Sequence, residues 1–337
     1  MKLQMSIVPA GFGSNEVKQE RIQTVTETSS VLVYDIGGSH AIAGIVERNQ
    51  LSISCQQFRA LDSSGTSECV LDTLLSLGAS VFSHAKQNGS TLDAIAIAAP
   101  GPFDYANGIS LLRHKYSSLY GRNLRLDFAR RFEIPEEHVL FLNDADAFLL
   151  GECHAGAAKQ LNKCVGITLG TGIGSAFAID GKIINVGGGV PEGGEIYCLP
   201  WKDRTVEDFV SSRGIQDRYE WITGQRFSVR EICSAAKIDQ SAAQVMRDFG
   251  SVLGEVLREI CMPFHPEAII LGGAISKSGH LFLPSANQAL GSGQDLLRLA
   301  QLFDDAPLIG AAVHSRQSIS KTPAEETTQG CTEVGTA

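Results

Sequence analysis

VLVYDIGGSHAIAGIVERNQLS at residues 31–52 and VGITLGTGIGSAFAIDGKII at residues 165–184 decide the fold, because both read apolar strand, glycine-rich corner, apolar strand, polar turn. The β-branched and aliphatic run stops at Gly37-Gly38 in the first copy and at Gly170-Thr171-Gly172-Ile173-Gly174 in the second. Such corners carry no Cβ that would hold another group away from their amides, so each can receive an anion. The polar turns Arg48-Asn49-Gln50 and Asp180-Gly181 send each chain back as a hairpin instead of launching a helix. That argues against both a Rossmann unit and a Walker loop. Two such hairpins facing one another would grip the phosphates of a nucleotide from both sides.

Outward from these stretches, strands and helices alternate. Val70, Leu74, Leu77 and Val81 recur at helical spacing in a window from about Ser67 to Asn88. DAIAIAAPGP (93–102) reads as a buried strand ending in a proline-glycine corner, and HVLFLNDADAFLLGE (138–152) as a strand running into a helix at Asn143-Asp144. A longer amphipathic helix is expected from about Ser241 to Met262, feeding the strand AIILGGAIS (268–276) that closes at Gly272-Gly273. A last helical piece, at about Pro307–Arg316, is expected to cross back to the first half. The expected organisation is a first lobe at 29–143 joined by a C-terminal helix at about 305–317, a second lobe at 144–304, and loose tails at 1–28 and 318–337.

Composition narrows the function. A chain of 337 residues can bury two compact cores, and 43% hydrophobic with 19% charged residues is ordinary for a globular protein. The formal charge of −9, with Lys and Arg thinly spread, leaves no basic stripe, so neither nucleic acid nor a membrane surface is an expected partner. The eight cysteines show no CxxC or CxC spacing, and no apolar leader follows Lys2. A reducing cytoplasm with free thiols is the expectation. No apolar run approaches the ~18 residues that a membrane span needs.

With six segments in order, the chain resembles the ROK family of sugar kinases, within the actin-like ATPase superfamily, over about residues 30–315. DIGGSH matches the first phosphate loop, APGP the wall near the sugar, LNDADAFLLGE the catalytic strand-to-helix turn and LGTGIGS the second phosphate loop. GGEI with VEDFVSSRG matches the sugar-binding segment, and ILGGAIS the adenosine region. The resemblance implies an α/β, duplicated ribonuclease H-like fold of two lobes with a cleft between them. It also implies ATP-dependent phosphorylation of a hexose, glucose or a relative, at the 6-OH, with Mg2+ and as a homodimer.

Moving a phosphoryl group to a hydroxyl calls for a carboxylate to take the proton, donors for the phosphoryl, a divalent metal and exclusion of water. Asp144, at the mouth of a strand, is the candidate base, although an Asp there could equally cap the following helix. The resemblance assigns Asn143 and Gly101 to the sugar side and Asp35 to Mg2+, through water, because Mg2+ keeps much of its hydration shell. It assigns Gly37, Gly38, Ser39, Gly170, Thr171 and Gly172 to the phosphates, and Gly272 and Gly273 to the adenosine. Asp146 reads as a first-turn residue favoured by the helix dipole and stays outside the expected site.

The sequence departs from the family in three places. The family has Thr where Ser39 stands and a Lys, Asn or Arg-like residue where His40 stands. Its GExGH and CxCGxxGCxE zinc cluster is replaced by GGEIYCLPWKDRTVEDFVSSRG, in which Glu195 and Glu207 match the two sugar-binding glutamates. Cys198 takes the histidine position and the zinc cysteines are missing, so no structural zinc is expected. Upstream, the family's Asn-Leu-Pro-Gly-Trp-like segment is replaced by LLRHKYSSLYGRNLR (111–125), where His114, Lys115 or Tyr116 would line the sugar pocket instead. Two other readings stay open: a polyphosphate-dependent glucokinase, and a non-catalytic sugar-binding ROK regulator. ROK repressors carry an added N-terminal helix-turn-helix, for which the stretch ahead of Val31 is too short and irregular.

Overall fold

The computed structural model describes residues 28–47, 50–113, 115–291 and 296–319. Strand β1 (Thr28–Ile36) turns at the first glycine corner into antiparallel β2 (His40–Glu47), and β3 (Ile53–Ala60) adds antiparallel outside β2. Helix α1 (Ser67–Gln87) starts at Thr66, whose hydroxyl accepts the Cys69 N–H at 3.3 Å. Its stripe of Val70, Leu74, Leu77 and Val81 is buried, as the spacing predicts. The chain returns as β4 (Ser90–Ala99), parallel to β1. A short ribbon of β5 (Phe103–Asp104) and β6 (Ile109–Ser110) precedes α2 (Leu124–Phe132), and β7 (Val139–Asn143) then pairs parallel with β4.

Helix α3 (Asp144–Ala155) follows β7 without a spacer. The second half repeats the first: β8 (Lys163–Leu169) and β9 (Ile173–Ile179) form the hairpin, with β10 (Lys182–Ile183) outside β9. A ribbon of β11 (Pro200–Trp201) and β12 (Arg204–Thr205) leads into α4 (Val206–Phe209), α5 (Ser212–Thr223), α6 (Val229–Ala235) and α7 (Gln240–Val256). Strand β13 (Ala268–Gly272), α8 (Leu283–Leu290), β14 (Leu297–Leu299) and α9 (Ala306–Ile319) complete the chain. The sheets run β3-β2-β1-β4-β7 and β10-β9-β8-β13-β14. Each pairs antiparallel twice and then parallel twice, so the echo between the hairpins extends to whole sheets.

Helices α3 and α9 lie between the sheets. Leu308, Ala311, Ala312 and Val313 of α9 pack on Val31, Val33, Ala94 and Ala96 of the first sheet. Phe148 and Leu149 of α3 pack on Cys164, Ala176, Ala268 and Ile270 of the second. The two helices cross so closely that a Cβ on Gly310 would strike the Ala147 carbonyl. At the far end of α3, the buried Glu152 carboxylate accepts N–H groups from Ala157, Gln301 and Leu302 at 2.7, 3.1 and 2.8 Å. These bonds offset the cost of burying a charge and tie α3 to the loop after β14.

Some boundaries shift from the expectations. The helix expected to run unbroken to Met262 ends at Val256 and passes into a π-helical turn over Leu257–Cys261. Thr28 already belongs to β1, and α9 continues to Ile319. The rest of the two expected tails, Arg48 and Asn49 of the first turn, and His114 lie outside the described residues. No helix among the described residues is long and apolar enough to cross a membrane.

Candidate active site

The parallel strands β1, β4 and β7 end at the same edge of the first sheet: Asp35 pairs with Ala98, and Ala99 with Asn143. In open α/β sheets this carboxyl edge is where ligands bind. Asn143 caps α3, its side-chain oxygen accepting the N–H groups of Ala145 at 2.9 Å and Asp146 at 3.4 Å. The cap is therefore Asn143, and Asp144 is the first helical residue, not the cap. One Asp144 oxygen accepts the Ala145 N–H at 2.8 Å. The Asn143 amide donates to Tyr105 Oη at 3.1 Å, and Tyr105 donates to the Ala99 carbonyl at 3.2 Å. Gly101 borders the same group, since a Cβ there would lie 3.5 Å from Tyr105 Oη and 3.9 Å from Asn143 Nδ2.

Carboxylates converge on this edge. Burial lifts Asp35 to about 7, with the Asp144 and Asp304 charges adding to it. Burial likewise lifts Asp144 to about 6, against the Ala145 N–H and the Lys115 charge, which pull it down. Asp146, read from the sequence as a first-turn residue only, is brought into the group. It is raised to about 7 by burial and then by Asp144 and Glu195. Dehydrated carboxyls this close cannot all stay ionised without a cation among them.

The glycine corners flank the cluster. At the first, Tyr116 Oη donates to the Gly37 carbonyl at 2.7 Å, and the Lys115 side chain lies along Gly38. Ser39 is exposed, its carbonyl taking the Leu61 N–H at 2.9 Å, while His40 stacks on Phe58 with ring centroids 5.3 Å apart. At the second corner, the Gly170 N–H donates to the Gly172 carbonyl at 3.0 Å, and the Ser212 N–H and hydroxyl both donate to the Gly170 carbonyl. A Cβ on Gly170 would meet nothing within 4 Å, so this corner opens to free space. Thr171 lies exposed beside it.

The two expected sugar glutamates lie on the second half. Glu195 is exposed after the short turn Glu192–Gly194, where its charge reaches Asp146 and Tyr105. Glu207 opens α4 and its carboxylate lies against Gly172, with Tyr197 between the two glutamates electrostatically. Where the family carries its zinc loop, the β11–β12 ribbon buries Trp201 in the second core instead. Among the described residues no group of three or more His, Cys, Asp or Glu is arranged to hold a metal. Gly272 and Gly273 are held by packing: Cβ atoms there would strike the Phe148 ring and the Leu169 backbone. Gly273 thus abuts Leu169, the last residue of β8 before the second corner.

Sequence reasoning missed Tyr105 and Asp146 and placed Lys115 on the sugar side alone. Tyr105 follows the PGP corner by a few residues, a position that could have flagged it. Asp146 gave no signal, because its burial and the Asp144 and Glu195 charges that act on it arise only in the folded chain.

Three comparisons bear on the chain as a whole. A glucokinase from Halalkalibacterium halodurans is 28% identical over 220 residues, which are 55% of this chain and 66% of that protein. A beta-glucoside kinase from Klebsiella pneumoniae is 26% identical over 306 residues, 85% of this chain and 96% of that protein. A crystal structure of a ROK family glucokinase from Streptomyces griseus in complex with glucose and AMPPNP superposes with a TM-score of 0.70. It is 23% identical and the match covers 86% of this chain and 99% of that one. The two sheets share the actin-like ATPase fold of these solved structures, and with its glucokinase and beta-glucoside kinase relatives the chain is a sugar kinase. The family model for ROK matches residues 31–318, and the chain belongs to the ROK family.

Proposed function

We propose that the protein transfers the γ-phosphoryl group of ATP to a hexose hydroxyl, the 6-OH of glucose or a close relative, with Asp144 as the base. The observation that carries this reading is the position of Asp144: first residue of α3, freed from capping by Asn143, dehydrated to about 6, and within electrostatic reach of Asp35, Asp146 and Lys115. A base of that strength is ionised at neutral pH yet basic enough to share a hydroxyl proton. The hydroxyl oxygen bonds to the γ-phosphorus as its proton passes to the Asp144 carboxylate. The bond from that phosphorus to the β–γ bridging oxygen breaks, and ADP leaves with its electron pair. Asp144 then returns the proton to solvent.

Gly37, Gly38, Ser39, Gly170, Thr171 and Gly172 are assigned to the phosphates, and Asn143, Gly101, Glu195 and Glu207 to the sugar hydroxyls. Gly272 and Gly273 are assigned to the adenosine. Asp35 suits Mg2+: it is a dehydrated carboxyl, takes part in none of the described ion pairs, and faces Asp144, so a cation would relieve both. Bound there beside phosphate oxygens, the ion would neutralise charge on the transferring group. The complex of the Streptomyces griseus glucokinase with glucose and AMPPNP supports the choice of donor and acceptor. A coupled assay of ADP release with Mg-ATP against a panel of hexoses and N-acetylated amino sugars tests it. Formation of one sugar phosphate per ADP is expected, and hydrolysis of ATP with no phosphorylated sugar from any acceptor would refute it.

A further inference from the structure

The segment that departs most from the family, 111–125, is fastened to the first glycine corner. Tyr116 is buried, takes a left-handed backbone with φ of 49°, donates its N–H to the Ser63 carbonyl at 3.0 Å and its hydroxyl to the Gly37 carbonyl at 2.7 Å. That anchor fixes the residue before it. The Lys115 stem runs along Gly38 so closely that a Cβ added there would lie 3.3 Å from Cδ, 3.2 Å from Cε and 2.5 Å from Nζ. Gly38 thus clears space for an ammonium as well as for an anion. The Lys115 charge also reaches the Asp144 carboxylate. Yet Lys115 makes none of the ion pairs within 4 Å found among the described residues, which include Lys202 with Glu255 and Lys277 with Asp304. A half-buried ammonium held over an anion-receiving corner, in electrostatic reach of the base but with no carboxylate within 4 Å among the described residues, has donors to offer a ligand.

We propose that Lys115 is a catalytic residue that donates hydrogen bonds to the γ-phosphoryl group during its transfer. This rests on the kinase reading above and gives the corner of Gly37 and Gly38 its cation. The three equatorial oxygens of the γ-phosphoryl carry charge in the transition state, and a fixed ammonium stabilises that charge in a dehydrated site far better than water does. Neighbouring carboxylates make the requirement sharper, because Asp35, Asp144 and Asp146 would otherwise repel the phosphate.

The test compares nucleotides that differ by the γ-phosphate. Wild-type, Lys115→Met and Lys115→Arg proteins are titrated calorimetrically with Mg-AMPPNP and with Mg-ADP, and separately with the accepted hexose alone. Met keeps the apolar stem along Gly38, and circular dichroism reports whether each variant folds. For Lys115→Met the expected outcome is AMPPNP affinity lower by about 10- to 100-fold, the loss of one charge-assisted bond. ADP and hexose affinities should stay within about 3-fold, and kcat should fall by at least as much as AMPPNP affinity. Arg should recover part of both losses. Equal loss of ADP and AMPPNP, a loss confined to the hexose, or no loss at all would each overturn the assignment. If Met misfolds, Lys115→Gln takes its place under the same criteria. Wild-type protein that binds neither nucleotide would instead remove the kinase reading on which the assignment rests.

Discussion

At the scale of single residues, the account turns on carboxylates whose ionisation is tuned by burial. Asp144 titrates at about 6, first because it is dehydrated and then because the Ala145 N–H and Lys115 hold it lower than burial alone would. A base is active when deprotonated, so kcat should fall roughly tenfold per pH unit below about 6 and level off above it. A pH–rate profile with no acid limb between pH 5 and 7 would contradict this. Glu195, whose carboxylate oxygens accept hydrogen bonds, is assigned to a sugar hydroxyl. Glu195→Ala should therefore cost about 1.5 to 3 kcal/mol in kcat/KM for the preferred hexose and leave the KM for ATP within a few fold. Steady-state kinetics with both substrates varied would check it, and an unchanged kcat/KM for every accepted sugar would mean that other groups hold the sugar.

Elements are positioned by close helix packing. Because α9 passes over α3 with Gly310 against the Ala147 carbonyl, Gly310→Val must push the helices apart or bend one of them. A loss of about 2 to 3 kcal/mol in urea unfolding is expected, with a further drop in kcat because α3 carries Asp144. How far such elements can be read from sequence depends on whether their determinants are local. Both hairpins, α1, β4 and the β7-to-α3 junction were legible because unbroken apolar runs or three-and-four spacing are properties of adjacent residues. Helix α5 was not, since SRGIQDRYEWIT buries only Ile215 and Tyr219, one residue per turn on an otherwise polar helix. The same division runs through the site. Asp35, Asn143 and Asp144 could be found at strand ends, whereas the path of Lys115 depends on a left-handed Tyr116 and a bond to Gly37 far away in sequence. No local pattern encodes that bond.

At the scale of the whole molecule, two sheets share one pairing order, and the carboxyl edge of the first gathers negative charge before any ligand enters. Asp35, Asp144 and Asp146 all have folded values above the unfolded carboxylate value of 3.8. Their contribution to stability is therefore fully present below pH 3.8 and is lost as pH rises through 6 to 7. Asp146→Asn removes one of the three charges, so the ligand-free variant should be more stable than wild type at pH 8, by roughly 1 to 2 kcal/mol. Thermal unfolding at pH 8 and pH 5 would show this as a gain that shrinks in acid, and a variant less stable at pH 8 would refute it. The central claim is that this cleft moves phosphate onto a sugar with Asp144 taking the proton. It is tested most directly by measuring sugar phosphate formed by wild-type and Asp144→Asn proteins under saturating Mg-ATP, alongside the equilibrium affinity of each for the same hexose. The account predicts stoichiometric sugar phosphate and ADP from the wild type, kcat lower by roughly 10²-fold or more in Asp144→Asn, and hexose affinity within a few fold. Turnover by Asp144→Asn close to that of the wild type would contradict it.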